Sequence, residues 1–499
     1  MRALWVVAAV LVASGALAQP RKPTALESEA ASAVALVVQD SCAEAAARLK
    51  AVYEDPSFRQ FEPPLRSAVL EGSEFCEARL GHLEAAYALS RRAIQEDGAT
   101  ALGWGLHVDL ALSLSRTNDA LSALTVLSKR SPAILGEVSE RTIQTAYASA
   151  GLLPHADARR LELLEALDGA KWRPKDPFNE SAVMQLDRIR LLLGAGRQTE
   201  ASAVARGLTD PSALIAMRVD DRFGKVSTEA RELDVIAQTR RALVKAVQLA
   251  SRRPEWLSGP IRIAQLRLRL GENEAALKVL QDALDRRRDF GDSAFEDAAD
   301  NLRVVQALKA ETLFRLGRLN EADGAFAEAA ADDADGSQGF DQRLAYASYL
   351  IDTDRAALAL DLLKDVKTEP LNDNGKAYLA AMRACAYAVL KNRPAMAREL
   401  AIVKAPTLPE YGALVNALVC AGDLQGAVRL YVERLKDPGR RAEALIALQR
   451  YRRVPNHGEE DKLWDDDFAK VKSDPAVLEA VKAAGGRIET YEIYDPGEV

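Results

Sequence analysis

The stretch LFRLGRLNEADGAFAEAA, residues 313–330, reads as two short helices joined at a polar elbow. Gly317 stands at the elbow and Ala322 five residues later. The phrase recurs as ARLGHLEAAYALSRRAI (78–94), LRLGENEAALKVLQDAL (268–284) and VCAGDLQGAVRLYVERL (419–435). Glycine tolerates the left-handed conformation that ends a helix. Alanine in the first turns of the next helix lets the two helices cross closely, where a larger side chain forces them apart.

The same spacing identifies further turn positions along the chain. Gly81, Gly151, Gly196, Gly271, Gly317 and Gly422 are each followed at +5 by Ala86, Ala156, Ala201, Ala276, Ala322 and Ala427. Ser115, Asp352 and Asn392 take the turn position before Ala120, Ala357 and Ala397, and Ser41 before Ala46 extends the series more weakly. From Gly81 onward the anchors are 34, 36, 45, 75, 46, 35, 40 and 30 residues apart. The gap of 75 holds a degenerate unit centred on the helical pattern of residues 229–252. A repeat of this length in which each helix pair buries one face predicts stacked pairs that complete each other's core.

Composition agrees. The chain has 499 residues, 48% hydrophobic, 28% charged and 6% aromatic, rich in alanine. This suits helices packed through small residues better than a sheet. The net charge of −7 is spread along the chain without a Lys/Arg block, so no nucleic-acid partner is expected.

LGRLNEADGAFAEAA and LGHLEAAYALSRRAIQED resemble the tetratricopeptide (TPR) motif, with Gly, Ala at +5 and Ala at +12. The +12 alanine stands at Ala93, Ala283 and Ala329, the closing proline at Pro132 and one place early at Pro438, and the helix-A aromatic at Tyr147. The resemblance covers residues 27–451. It implies an all-α, right-handed superhelical α-solenoid of ten to eleven antiparallel helix pairs. CAGDLQGAVRLYVERLKDP, RAEALIALQRY and GRIETYEIY also make the chain similar to uncharacterised exported TPR-like proteins of Gram-negative bacteria.

The first residues, MRALWVVAAVLVASGALAQP, carry a basic start, a short apolar run and an A-x-A site at residues 16–18. They read as a signal peptide over residues 1–18, with mature protein from Gln19 and a flexible segment to residue 26. The apolar run is too short for a permanent span, and no integral membrane segment is expected after cleavage. The expected location is periplasmic or secreted. In that oxidising setting Cys42 and Cys76 sit where the ends of antiparallel helices meet, and a disulfide between them stands beside buried free thiols as a reading. Cys385 and Cys420 fall on corresponding helices of successive units, which disfavours a bridge.

After residue 451 the repeat stops. Residues 452–473, including the run EEDKLWDDDF (459–468), read as an acidic linker. Residues 474–499 read as a cap: a short helix at 475–484, then GRIETYEIYDPGEV alternating Ile488, Thr490 or Tyr491, and Ile493 as a strand packed on the last helices.

No catalytic constellation emerges. His82, His107, His155 and His457 are scattered, with no metal-ligand spacing. Nucleophile-elbow, S-x-x-K and phosphate-loop motifs are absent from the sequence. The pair Gly103 and Gly105 reads as close packing. No enzyme activity, metal or cofactor is expected. The TPR resemblance implies instead that helix-A residues six, three and two places before each anchor line a concave face. Arg190, Gln265, Arg269, Phe314, Arg315, Tyr346 and Tyr349 are the candidates for binding a protein or peptide segment. The expected function is a non-enzymatic scaffold or adaptor, with a glycan- or peptidoglycan-binding accessory of a cell-envelope enzyme as the alternative.

Overall fold

The computed structural model describes residues 22–151, 153–179, 181–226, 234–331, 339–368, 371–405, 410–456 and 458–495. The expected signal segment, His457 and most of the loop at 332–339 lie outside them. The chain forms two compact units that divide between Pro177 and Phe178. Both are all-α arrays of stacked antiparallel helix pairs.

The first unit contains α1 (Ala25–Val38), α2 (Cys42–Glu54), α3 (Pro63–Arg79), α4 (Leu83–Ala93), α5 (Ala101–Ser113), α6 (Thr117–Arg130), α7 (Pro132–Glu137), α8 (Glu140–Ala150) and α9 (Ala156–Gly169). The second begins with α10 (Ala182–Gly194), α11 (Gln198–Gly207), α12 (Pro211–Val219) and α13 (Val235–Arg252). It continues through α14 (Ser258–Leu270), α15 (Asn273–Phe290), α16 (Ala298–Arg315), α17 (Leu319–Ala330), α18 (Phe340–Asp352), α19 (Ala356–Leu363), α20 (Asp373–Val389) and α21 (Arg393–Lys404). It closes with α22 (Tyr411–Cys420), α23 (Leu424–Lys436), α24 (Arg441–Ala447), β1 (Arg450–Arg452), α25 (Glu459–Ser473), α26 (Pro475–Ala483) and β2 (Thr490–Tyr494). Successive helices pack in pairs, such as α16 with α17. First helices of successive pairs lie side by side, as α14 with α16 and α20 with α22.

The elbow works as its residues suggest. Gly317 has φ +73°, and the Arg318 N–H donates to the Leu313 carbonyl at 3.0 Å, the long-range bond of a Schellman helix end. The same bond joins Glu272 to Arg267 at 2.9 Å and Asp423 to Leu418 at 2.9 Å. Ala86, Ala120, Ala201, Ala276, Ala322 and Ala427 are all fully buried where the paired helices cross.

At four anchors the register differs. The left-handed residue is Asp354, not Asp352, and fully buried Ala359 stands five after it while Ala357 is exposed. Lys391 takes the role given to Asn392, and Asp40 that given to Ser41. Gly151 has φ −65°, and His155 turns left-handed instead. A non-glycine residue held in this conformation by the next helix costs only about 1–2 kcal/mol, so tertiary packing chooses the position. Between Gly196 and Gly271 the degenerate unit is α12 with α13, and α1 begins at Ala25, inside the segment expected to be flexible.

Both cysteine pairs are disulfides. Cys42 and Cys76 have Cα atoms 4.8 Å apart. Cys385 and Cys420, disfavoured from sequence, are also bonded, with Cα atoms 5.0 Å apart. Corresponding helices of successive units, α20 and α22, pack directly on each other, and this brings the two thiols together.

The expected acidic linker is largely helical. Trp464, Phe468 and Val471 recur at helical spacing within α25. Phe468 meets Tyr431 of α23 at 6.1 Å between ring centroids and Trp464 at 5.0 Å, and Val471 is buried. The carboxylates cover the outer face of this helix and hid its apolar stripe.

Residues 484–495 do not stop at the last helices. Asp220 bridges Gly486, the Asp221 N–H donates to the Gly485 carbonyl at 2.8 Å, and the Arg487 N–H to the Val219 carbonyl at 3.0 Å. Arg218 pairs with Glu489, Arg487 pairs with Asp221, and α12 packs on α24. The end of α12 and residues 220–221 therefore meet residues 485–489.

Candidate functional site

The seven predicted residues do not form one open surface. Phe314 and Tyr349 are buried between α16, α17 and α18, their rings in edge contact at 5.2 Å, with Phe326 4.5 Å from Tyr349. The Tyr349 hydroxyl donates to the Leu319 carbonyl at 3.2 Å. They belong to the core because a position three before the elbow faces the following helix. Tyr346 is half-buried and stacked on Phe326 at 5.7 Å. Arg190 is buried on α10, where it pairs with Asp187 at 2.5 Å. Gln265 is half-buried on α14.

Arg269 and Arg315 come together with residues that sequence reasoning did not single out. Both guanidinium groups are buried, at 6% and 3% exposure. Arg315 donates to Glu311 at 2.6 Å. The Tyr494 ring lies 5.4 Å from Arg315, and Arg452 lies 4.9 Å from the same ring. The ring thus sits near two guanidinium groups, an arrangement that favours a cation against each π-face. Burial pulls Arg269 below the usual arginine range; Asp210 and Asp495 oppose this and Arg262 adds to it. Arg262 in turn holds Asp210 at 2.8 Å, and Asp210 caps α12 through the N–H groups of Ser212 and Ala213.

A backbone track accompanies these side chains. β1 and β2 run parallel as a two-stranded sheet over the ends of α13 and α14. Beyond β1, Asn456 Nδ2 donates to the carbonyls of Phe314 and Arg315 at 3.0 and 3.1 Å. The Gly458 N–H reaches the Asp352 carbonyl at 2.6 Å, and the Glu459 N–H reaches Asp354 Oδ2 at 3.1 Å. The carbonyls at helix C-termini lack intrahelical donors, and this segment supplies them. Fully buried Gln449 brackets the returning strand, accepting from the Glu489 N–H at 2.8 Å and donating to the Arg487 carbonyl at 3.1 Å. Burial and the neighbouring Glu489 carboxylate push the Tyr491 hydroxyl well up, and it donates to that carboxylate at 3.0 Å. The alternation in GRIETYEIY marked the strand. Nothing local marked its destination.

The first unit holds a second polar cluster. Glu71 accepts from the Thr100 N–H and hydroxyl, both at 2.7 Å, and packs so closely on α5 that a Cβ at Gly103 would lie 2.5 Å from its Oε1. Glu74, one turn on, is fully buried with no hydrogen-bond partner for either oxygen among the described residues. His107 is buried, bonded to Ser90 Oγ at 2.8 Å and stacked on Tyr87. Among the described residues no group of three or more His, Cys, Asp or Glu side chains is placed to hold a metal ion. No described helix is long and apolar enough to cross a membrane.

No protein-family model matches the chain, and no curated protein matches it. Solved structures similar to it include the APC/C hetero-tetramer Cut9–Hcn1, at 14% identity over 97% of this chain and 92% of that one, with a TM-score of 0.27. Naa15/Naa10 bound to HypK-THB aligns at 13% identity over 92% and 80%, TM-score 0.27. The P58(IPK) TPR domain aligns at 14% over 83% and 100%, TM-score 0.20. At these scores the likeness adds nothing to the fold read from the helices themselves.

Proposed function

We propose that this protein is a non-enzymatic scaffold of the periplasm that binds a protein or peptide segment along the first helices of its repeats. The observation that carries the reading is the track just described. Arg452, Asn456, Gly458 and Glu459 meet the ends of α14, α16 and α18, where Asn456 and Gly458 donate to helix-end carbonyls, and Tyr494 of β2 lies near two arginines. A surface built this way recognises peptide backbone and an aromatic anchor, which is what a peptide-binding scaffold requires. The signal-like leader and two disulfides support an oxidising, exported setting.

The test is a photo-crosslinking residue at position 346, half-buried on a first helix, against one at position 402, on α21 and 49% exposed. A defined protein crosslinked in periplasmic extract through 346 and not through 402 is the expected result. Crosslinking through neither position refutes the reading.

A further inference from the structure

Residues 452–459 meet three consecutive helix ends. Arg452 lies beside Gly271, Asn456 binds the end of α16 at Gly317, and Gly458 with Glu459 binds the end of α18. Asn456 stands in a left-handed turn, φ +72°, and Glu459 opens α25. β2 lies beside the start of this track. It places Glu489 on Arg218, Tyr494 near Arg315 and Arg452, and Asp495 where its charge acts on Arg269.

Residues 487–495 are held partly by burial, with Tyr491, Ile493 and Tyr494 in the core, and partly by contacts that another chain can make. Gln449 and the Val219 carbonyl bind backbone groups that any peptide carries. The Arg218–Glu489 pair is about one-fifth exposed on each side. The sheet has only two strands, and β1 is three residues long. Such a pair is marginally stable without the packing beneath it.

We propose that residues 487–495 are an intramolecular ligand, and that the same surface takes in exchange an extended segment of a partner protein with matching chemistry. That chemistry is a tyrosine followed directly by a carboxylate, with a second carboxylate five residues before the tyrosine. The carboxylates meet Arg269 and Arg218, the ring enters between Arg315 and Arg452, and Gln449 reads the backbone. The inference rests on the scaffold reading and names the segment such a scaffold selects. A tethered occupant acts at an effective concentration on the order of millimolar, so the closed chain resists weak competitors and admits those that match.

The probe is a fluorescent peptide of sequence RIETYEIYD, titrated against the full mature chain and against its Glu489→Gln/Tyr494→Ala variant. The variant is expected to bind at least tenfold more tightly than the unaltered chain, and a peptide with alanine for the final tyrosine is expected to lose binding to it. Equal affinity for both chains, or binding to neither, overturns the proposal. Should the variant fail to fold, hydrogen exchange on the unaltered chain decides. Excess peptide must speed exchange over residues 490–494, and no change there overturns the proposal. Crosslinking through position 346 with no such exchange would sink this inference and leave the scaffold reading standing.

Discussion

Replacing Glu74 with glutamine should remove a specific slope from the stability of the protein against pH. Glu74 is fully buried in α3, and its two oxygens have no hydrogen-bond partner among the described residues. Burial first, and the Glu71 carboxylate second, raise its pKa well above the ordinary 4.5. Glu71 is raised by burial too, but Thr100 donates two hydrogen bonds that favour its charged form. Glu74 is therefore the partner that keeps its proton. Between pH 4.5 and its folded pKa, the folded state binds one proton that the unfolded state has released. Stability then falls as pH rises, by about 1.4 kcal/mol for each pH unit.

His107 acts in the opposite sense. Burial lowers its pKa from 6.5 to about 4, with Asp119 opposing and Arg91 assisting. Its contribution is present above pH 6.5 and is lost as pH falls from there toward 4. Above pH 4.5 the two slopes oppose each other in the native chain. Glu74→Gln lifts one of them, so stability should rise with pH by about 1.4 kcal/mol more per unit than in the native chain. Glutamine is nearly isosteric with the protonated acid, and the two proteins should converge near pH 4.5. The assay is urea unfolding followed by far-ultraviolet circular dichroism at half-unit steps from pH 4.5 to 7. Parallel stability curves for the two proteins would refute the reasoning, because they would mean that Glu74 ionises in the folded state as it does in the unfolded one.

Two further outcomes follow from the packing. Ala322→Leu inserts three carbons at a fully buried crossing of α16 and α17 and should cost about 1–3 kcal/mol in urea unfolding; an unchanged midpoint would mean the crossing is loose. Cys385→Ser with Cys420→Ser opens a bridge that spans 35 residues and should cost about 2–4 kcal/mol, whereas four titratable thiols in the folded native protein would show that no bridge was there to lose.

Much of this architecture is written locally. Gly81, Gly196, Gly271, Gly317 and Gly422 all adopt the left-handed conformation, and the alanine five residues after each is fully buried. Where the turn residue is not glycine the register holds at Ser115 but slips by one or two places at Asp354 and Lys391, because Asp, Asn, Ser and Lys differ too little in that conformation for the sequence to choose. The sequence proposed seven site residues, and the structure separates them. Arg269 and Arg315 are buried under residues of the C-terminal segment, with Arg315 beside Tyr494, while Phe314 and Tyr349 are consumed by the core between helix pairs. A row counted back from an elbow does not distinguish a residue facing the groove from one facing the next helix. The helix of residues 459–473 escaped notice because its acidic face outnumbers the stripe of Trp464, Phe468 and Val471.

By itself the sequence determined where helices end, which small residues let them cross, and that the chain is a repeat array of helix pairs. These are properties settled within a turn or two of backbone, by φ preference and by a period of 3.6. Only the tertiary structure decided that Cys385 meets Cys420, that Asp220 meets Gly486 and that Tyr494 reaches Arg315. Each of those meetings depends on small rotations and displacements between neighbouring helix pairs. They accumulate over as many as 271 residues between Arg218 and Glu489, and no local pattern records their sum.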